Sequence, residues 1–526
     1  MPLHKLVKKG HFKLELGVQG VRRMRRGKKD PFEKKLKGLE SAIHVDISSQ
    51  MDENIDLLKQ QFANCSDLVI RRLQVLGSMP GVAIYLDVLV DSEMWDIGFL
   101  QPLMLQDQSH VESPAQLYEL LGHKLASTVQ PEMIRNMGNI IQRIVKGEII
   151  LFVESFSEAY AFKIGNKLHR NLEEPTTEAI IRGPRFGFIE KLDINIAILR
   201  QRLRTPRLKM ERMSVGSLSH TDIAIVYIEG YAKQSVVDEV KKRISKIDMD
   251  SVLESGYMEE LIDDHPYSPF PTIQSTQRPD VVSGSLIEGK VAVLIDGSPM
   301  SLVLPITFWF GFQTAEDYYM SFIFATMLRW LRYMFAFLAM TLPAIYIGIT
   351  SFQQEMIPTS LALSLAAARE VVPFPVMAEA LIMEITFEAL REAGIRLPRP
   401  VGQTISIVGA LVIGQAAVQA GIISAPMIIV VATTGIASFL IPNPGMSQAI
   451  SLIRFPLMIL GATLGLYGVG VGLLAVLIHL VNMSSFGTAY MTPIAPFQWA
   501  GLADSIIRAP WRVLRKRHHY SKHRMD

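Results

Sequence analysis

Cysteine is nearly absent: Cys65 is the only one in 526 residues. One thiol excludes an intramolecular disulfide and any metal or redox motif built on a cysteine pair, and it reads as a buried structural residue. Signatures of catalysis are missing too. There is no glycine-rich loop ending in Gly-Lys-Ser/Thr, no His-Glu-x-x-His and no Gly-x-Ser-x-Gly. The 12 histidines fall into no ligand spacing. Asp87, Asp91, Glu229 and Asp296 close predicted strands and read as turn caps or as side chains facing water. No enzyme, cofactor or metal is expected. No apolar segment suited to a cleavable signal opens the chain, so the first 330 or so residues are expected in the cytosol. Acids are scarce at the start, where Lys8, Lys9, Arg22, Arg23, Arg25, Arg26, Lys28 and Lys29 crowd together. Region 1–50 therefore reads as a basic disordered tail. Solvation is its first reading and contact with anionic lipid the second; no nucleic-acid partner is expected.

Long apolar runs are plentiful, but only late. Tyr333–Phe352, Val401–Ala420, Ile422–Ile441 and Phe455–Val481 each approach the ~20 residues that carry a helix across a bilayer. Mean hydropathy is +0.25, and the excess sits in the last third. The fold class follows: a soluble α/β region, then an all-α multi-span membrane domain. Four similar strands mark the soluble region: Val82–Val90, Glu148–Ser155, Ile223–Glu229 and Lys290–Asp296. Helical patterns at Ala115–Ser127 and Pro131–Val145 separate the first two, and Gln234–Ile247 and Asp250–Asp264 the second two. Strand, helix, helix, strand thus occurs twice, predicting two related α/β subdomains at 51–171 and 204–305. A linker and bridging helix fill 172–203, the membrane domain 306–485, and a basic tail 486–526.

Segment 358–392 is semi-polar. Glu384 and Glu388 are four apart and share a helix face, Glu379 precedes them, and Arg391 follows Glu388 by three. Ionisable groups at membrane depth are costly and persist where they pair, line water or sit in protein. These four, with the helix-breaking Pro373 and Pro375, are the candidate ion path or gate. An interfacial amphipathic helix is the competing reading. Gln403, Gln415 and the small-xxx-small pair Gly461 and Gly465 are candidates for helix packing. The positive-inside rule puts the Arg391–Arg399 loop and the basic tail on the cytosolic side. A single crossing after Arg454 then leaves the tail outside, so one assignment has to give way.

These residues also resemble a known family. Glu174-Pro175-Thr176-Thr177-Glu178 with Arg182-Gly183-Pro184, Glu259-Glu260-Leu261-Ile262-Asp263-Asp264 with Tyr267-Ser268-Pro269-Phe270-Pro271, and Arg278-Pro279-Asp280 carry the likeness in the soluble region. Ala366-Ala367-Ala368-Arg369-Glu370 with Val372-Pro373-Phe374-Pro375, Leu390-Arg391-Glu392-Ala393-Gly394, and Ile413-Gly414-Gln415-Ala416-Ala417 carry it in the membrane part. The chain resembles the A subunit of spore germinant receptors, the GerA family, from about Met51 to Ala509. The resemblance implies a place in the spore inner membrane, a transporter-like B subunit and a lipoprotein C subunit as partners, homo-oligomerisation, and an ion-release channel that triggers germination. A non-conducting scaffold and the A-like partner of the dipicolinate-release system are the alternatives. A transporter is disfavoured because the membrane part shows no repeat.

Overall fold

A computed structural model describes residues 45–76, 79–104, 113–125, 130–164, 175, 178, 180–396 and 414–514. The N-terminal tail through 44, Gln403, most of the run at 401–420 and the tail beyond 514 lie outside the described residues, as do 397–399 of the predicted Arg391–Arg399 loop, whose first six residues are helical instead and continue the helix that starts at Val376. The chain divides into two compact units. One is built from Met1–Ala63, Leu68–Asn166 and Thr205–Arg207, the other from Asn64–Asp67, Lys167–Arg204 and Leu208–Asp526.

The first unit holds helix α1 (Met51–Gln61), strands β1 (Leu68–Val75) and β2 (Met79–Leu86), helix α2 (Pro114–Leu125), strand β3 (Glu132–Ile134), helix α3 (Met137–Ile144) and strands β4 (Ile149–Val153) and β5 (Ala159–Phe162). Its sheet is antiparallel throughout, in the order β1-β2-β4-β5-β3. All five positions of β4 (Ile-Ile-Leu-Phe-Val) are buried. Trp95, Phe99, Leu117 and Leu121 pack with one face of the sheet, and α3 packs on β2, β4 and β5. A strand covered on both faces shows a continuous apolar run instead of alternation, which is why it was legible.

The second unit repeats this plan with α4 (Leu192–Arg202), β6 (Leu208–Val215), β7 (Thr221–Ile228), α5 (Gln234–Ile244), α6 (Ser255–Ile262), β8 (Gln274–Thr276), α7 (Pro279–Ile287), β9 (Val291–Ile295) and β10 (Ser301–Leu304). Its strand order, β6-β7-β9-β10-β8, matches the first sheet position for position. Both first hairpins pair eight residues, Leu68↔Leu86 to Val75↔Met79 and Leu208↔Ile228 to Val215↔Thr221. The internal repeat is real, and each copy has five strands where the periodicity marked two.

Three local readings need correction. Helix Pro131–Val145 is instead an edge strand at Glu132–Ile134 and a shorter helix. The Asn136 side chain accepts the amides of Gly138 and Asn139 and starts that helix at Met137. Helix Asp250–Asp264 begins only at Ser255, where the Glu254 carboxylate accepts the Gly256 amide. Strand Val82–Val90 stops at Leu86, and Asp87–Leu89 form a turn of 3-10 helix. The helix expected to bridge the subdomains is α4, which belongs to the second unit and packs on its β7 and β9. Its Arg200 is fully buried and grips Asp67 with Nε and Nη2, at 2.9 and 2.8 Å.

The second unit continues into helices α8 (Phe322–Ser351), α9 (Thr359–Arg369), α10 (Val376–Arg396), α11 (Ala425–Phe439) and α12 (Pro444–Asn482), then a two-strand hairpin of β11 (Ser484–Ser485) and β12 (Thr488–Ala489). Among the described residues, α8 and α12 are long and apolar enough to cross a membrane. Helix α12 is not one rod. Gly465 has φ 62° and ψ −149°, and the helix folds back there. A methyl on Gly472 would come within 2.5 Å of Leu457, and one on Gly468 would strike the Leu460 carbonyl. Residues that lie along one straight helix cannot meet that way. The single crossing predicted after Arg454 is therefore two limbs of about 31 and about 25 Å. Only glycine adopts this φ/ψ freely, and neighbouring glycines let the limbs close together.

At the start of α8, Arg329 is fully buried between Asp317 (3.0 Å) and Asp504 (3.2 Å), and Arg332 also binds Asp317. The Tyr333 hydroxyl donates to the Ser505 carbonyl. The segment after α12 is thereby pinned to the first turns of α8.

Candidate functional site: an ion-pair ladder among the helices

Helix α10 carries the predicted acids, and Pro373 and Pro375 lie in the break between it and α9. The Pro375 carbonyl accepts the amides of Ala378 and Glu379 and so opens α10. Glu379 and Glu384 are completely buried. Glu379 accepts the Ser424 amide (3.0 Å) and hydroxyl (2.7 Å), capping the start of α11, and faces Arg369 at 3.4 Å. Glu384 pairs with Arg454 of α12, which is also fully buried. Glu388 pairs with Arg391 at 3.2 Å and lies 4.0 Å from Arg454. Arg391 also donates to Ser438 and Ser451, at 2.5 and 3.3 Å. Three carboxylates thus meet three guanidiniums over about 18 Å of helix. The ladder is neutral, which is the arrangement that low-dielectric surroundings tolerate.

Arg454 makes one further bond with a local cause. Its Nε donates to the Ala339 carbonyl at 2.8 Å. Within a helix that carbonyl would accept the amide four residues on, but position 343 is proline, which has none. Pro343 frees the acceptor and Arg454 fills it. One side chain therefore joins α8, α10 and α12. Four buried polar atoms in the same place, Glu384 Oε1, Glu388 Oε1, Arg391 Nε and Arg454 Nη2, have no hydrogen-bond partner among the described residues. Such concentrations of unsatisfied groups are rare in protein interiors and mark strain or function.

The packing candidates fall apart from the ladder. Gly461 abuts Ala344 of α8, where a methyl would sit 2.6 Å from the carbonyl oxygen. Gly465 forms the fold-back and lies against Gly348. Gln415 is exposed. Residues that the sequence reading missed are Arg369, Arg454 and Gln353. Gln353 Oε1 accepts the Leu466 amide at 3.2 Å and so caps the returning limb. A lone arginine between apolar segments was a usable signal for Arg454, and proline at i marks a free carbonyl at i−4. The acids Asp91 and Asp296 do cap, accepting the amides of Met94 and Leu192.

Comparison with known proteins gives this architecture a family. The description "Bacillus/Clostridium GerA spore germination protein" matches residues 56–520. Spore germination protein KA of Bacillus subtilis is 43% identical over 475 residues, covering 90% of this chain and 86% of the relative. The membrane protein YfkQ of the same organism is 42% identical over 490 residues, 93% and 95% of the two chains. Spore germination protein A1 is 45% identical over 370 residues, 70% and 77%. The crystal structure of the N-terminal domain of the A subunit of the Bacillus megaterium spore germinant receptor GerK3 is 31% identical, covering 50% of this chain and 98% of that one, with a TM-score of 0.39. Over nearly its whole described length, then, this chain belongs to the GerA spore germination protein family.

Proposed function

We propose that the chain is the A subunit of a nutrient germinant receptor, embedded in the spore inner membrane with its sheets on the cytosolic side. It works with a transporter-like B subunit and a lipoprotein C subunit, and copies of it assemble around an ion-release path. Family membership supports the germination role. The observation that carries the conducting reading is the ladder. Charged side chains are kept inside an apolar helical bundle at a cost of a few kcal/mol each, which is reasonable where they serve ion movement. The fold-back at Gly465 supports the topology, because it returns the chain to the side from which the first limb of α12 starts. The basic stretch that ends α10 at Arg396 and the basic tail then share one face, as the positive-inside rule asks.

A second reading has an observation of its own. Glu379, Glu384 and Arg454 are fully buried within one chain, so the ladder also suits a static lock in a non-conducting scaffold. Ion release from spores separates the two. Glu384→Gln and Glu388→Gln should change the rate or selectivity of nutrient-triggered cation release while the protein still reaches the membrane. Normal release from both variants would remove these carboxylates from the path. Absence of current from the reconstituted oligomer would favour the scaffold.

A further inference from the structure

Two phenylalanines sit in each other's territory. Phe270 belongs to the loop between α6 and β8 of the second sheet, yet it is buried with Ala336 and Ala339 of α8 and Met446, Ile450 and Leu480 of α12. Phe486 follows α12 in the tight turn between β11 and β12, with φ 46°, yet it is buried in the second sheet's cluster with Val240, Ile244 and Ile262. The Arg243 guanidinium of α5 covers its ring at 4.3 Å. Each region has thus placed one large apolar side chain in the core of the other.

Hydrogen bonds run along the same seam. Asp264 accepts the Phe486 amide and an Arg243 guanidinium proton. His265 Nε2 accepts the Ser484 amide at 3.1 Å. The Thr272 carbonyl accepts the Ser485 hydroxyl and the Pro271 carbonyl the Tyr490 hydroxyl, both at 2.7 Å. Ser268 Oγ meets His479 Nε2 at 2.8 Å, and Pro271 packs beside Gly445. Gly445 begins the outgoing limb of α12 and His479 ends the returning one. A single loop therefore grips both ends of the hairpin at its open side. Its prolines, Pro266, Pro269 and Pro271, keep that loop extended and stiff.

We propose that this reciprocal exchange is a mechanical coupler, with Phe270 and Phe486 as the positioning residues that make the second sheet and the α12 hairpin move as one body. Its consequence for ion release rests on the conducting reading above; the coupling itself does not. A change in the sheet's helices α5 and α6 is passed to the open ends of α12, whose outgoing limb carries Arg454 and so one rung of the ladder.

Hydrogen–deuterium exchange on the full chain in lipid nanodiscs tests the coupling without any conduction. Phe486→Ala should speed exchange about tenfold in α5 and also at the ends of α12, and Phe270→Ala should do the same in both places. Phe270→Leu and Phe486→Leu should restore most of the protection, and Ser268→Ala should show a smaller effect on both sides. Acceleration confined to the region that receives the altered side chain would overturn the coupler and reduce the exchange to local packing. Should either alanine variant fail to accumulate, the leucine and Ser268→Ala variants are read by the same criterion. Coupled exchange in a chain that passes no ions would leave the coupler standing and remove the conducting reading.

Discussion

The two sheets share a strand order, but the lengths of sequence between matching elements differ at one point. Six residues, 126–131, separate α2 from β3 in the first sheet; eleven, 263–273, separate α6 from β8 in the second. The longer stretch holds Tyr267-Ser268-Pro269-Phe270-Pro271, and Phe270 ends up in the core of the helices. The scaffold is duplicated, and one copy has been extended to reach a neighbour. A sheet tolerates such an insertion because loops run at its surface and carry few of its core contacts.

The sharpest test of this asymmetry is Arg200→Ala. It leaves Asp67 buried without its partner and should cost about 3–5 kcal/mol, read as early unfolding of the second sheet by proteolysis while the first stays protected. Simultaneous loss of both sheets would mean the repeats are not independent. Gly465→Ala comes next. It forces a side chain into a left-handed backbone and against Gln353 and Phe352, at about 1–3 kcal/mol, and should lower the detergent melting temperature.

Glu259, on α6 of the second sheet, gives a pH signature with no counterpart among the described acids of the first. Burial, then Asp263 and Glu254, push its carboxyl up to about 7. A raised carboxyl binds its proton more tightly in the folded state, so this group's contribution to stability is fully present below about 4.5 and is lost as pH rises to about 7. Glu259→Gln should stabilise the chain on the order of 1–3 kcal/mol at pH 8 and leave it unchanged at pH 4. A pH-independent effect would exclude the carboxyl as its source. The smallest effect belongs to Asn136→Ala. Loss of the cap of α3 should cost about 1 kcal/mol in the first sheet alone.

Much of this was legible in the residues. The buried central strands β4 and β9 announced themselves as continuous β-branched runs, and their spacing revealed the repeat. The edge strand β3 did not, because Glu132-Met133-Ile134 is too short to show alternation and runs into a helical pattern. The acids of α10 were visible because charge in an apolar context is conspicuous. Their partners were not, since Arg454 is 70 residues from Glu384 and only the packing of α8, α10 and α12 brings them together. The fold-back at Gly465 was hidden for a different reason. Hydropathy counts apolar length and cannot see a reversal inside it, although glycines at 465, 468, 470 and 472 supply the backbone freedom and close approach that a reversal needs. Phe270 stood out only as part of the Tyr267–Pro271 string and Phe486 not at all, and neither showed its destination, because each is buried in a core it does not adjoin in sequence.

Sidedness tests the central claim most directly. In a Cys65→Ser background, single cysteines at Tyr467, beside the fold-back, and at Trp511, in the tail, are labelled from either side of sealed membranes with an impermeant maleimide. A hairpin places the two on opposite faces, with Trp511 on the face of the sheets and Tyr467 across the bilayer. Labelling of both from one side, or of Trp511 from the face opposite the sheets, would contradict it.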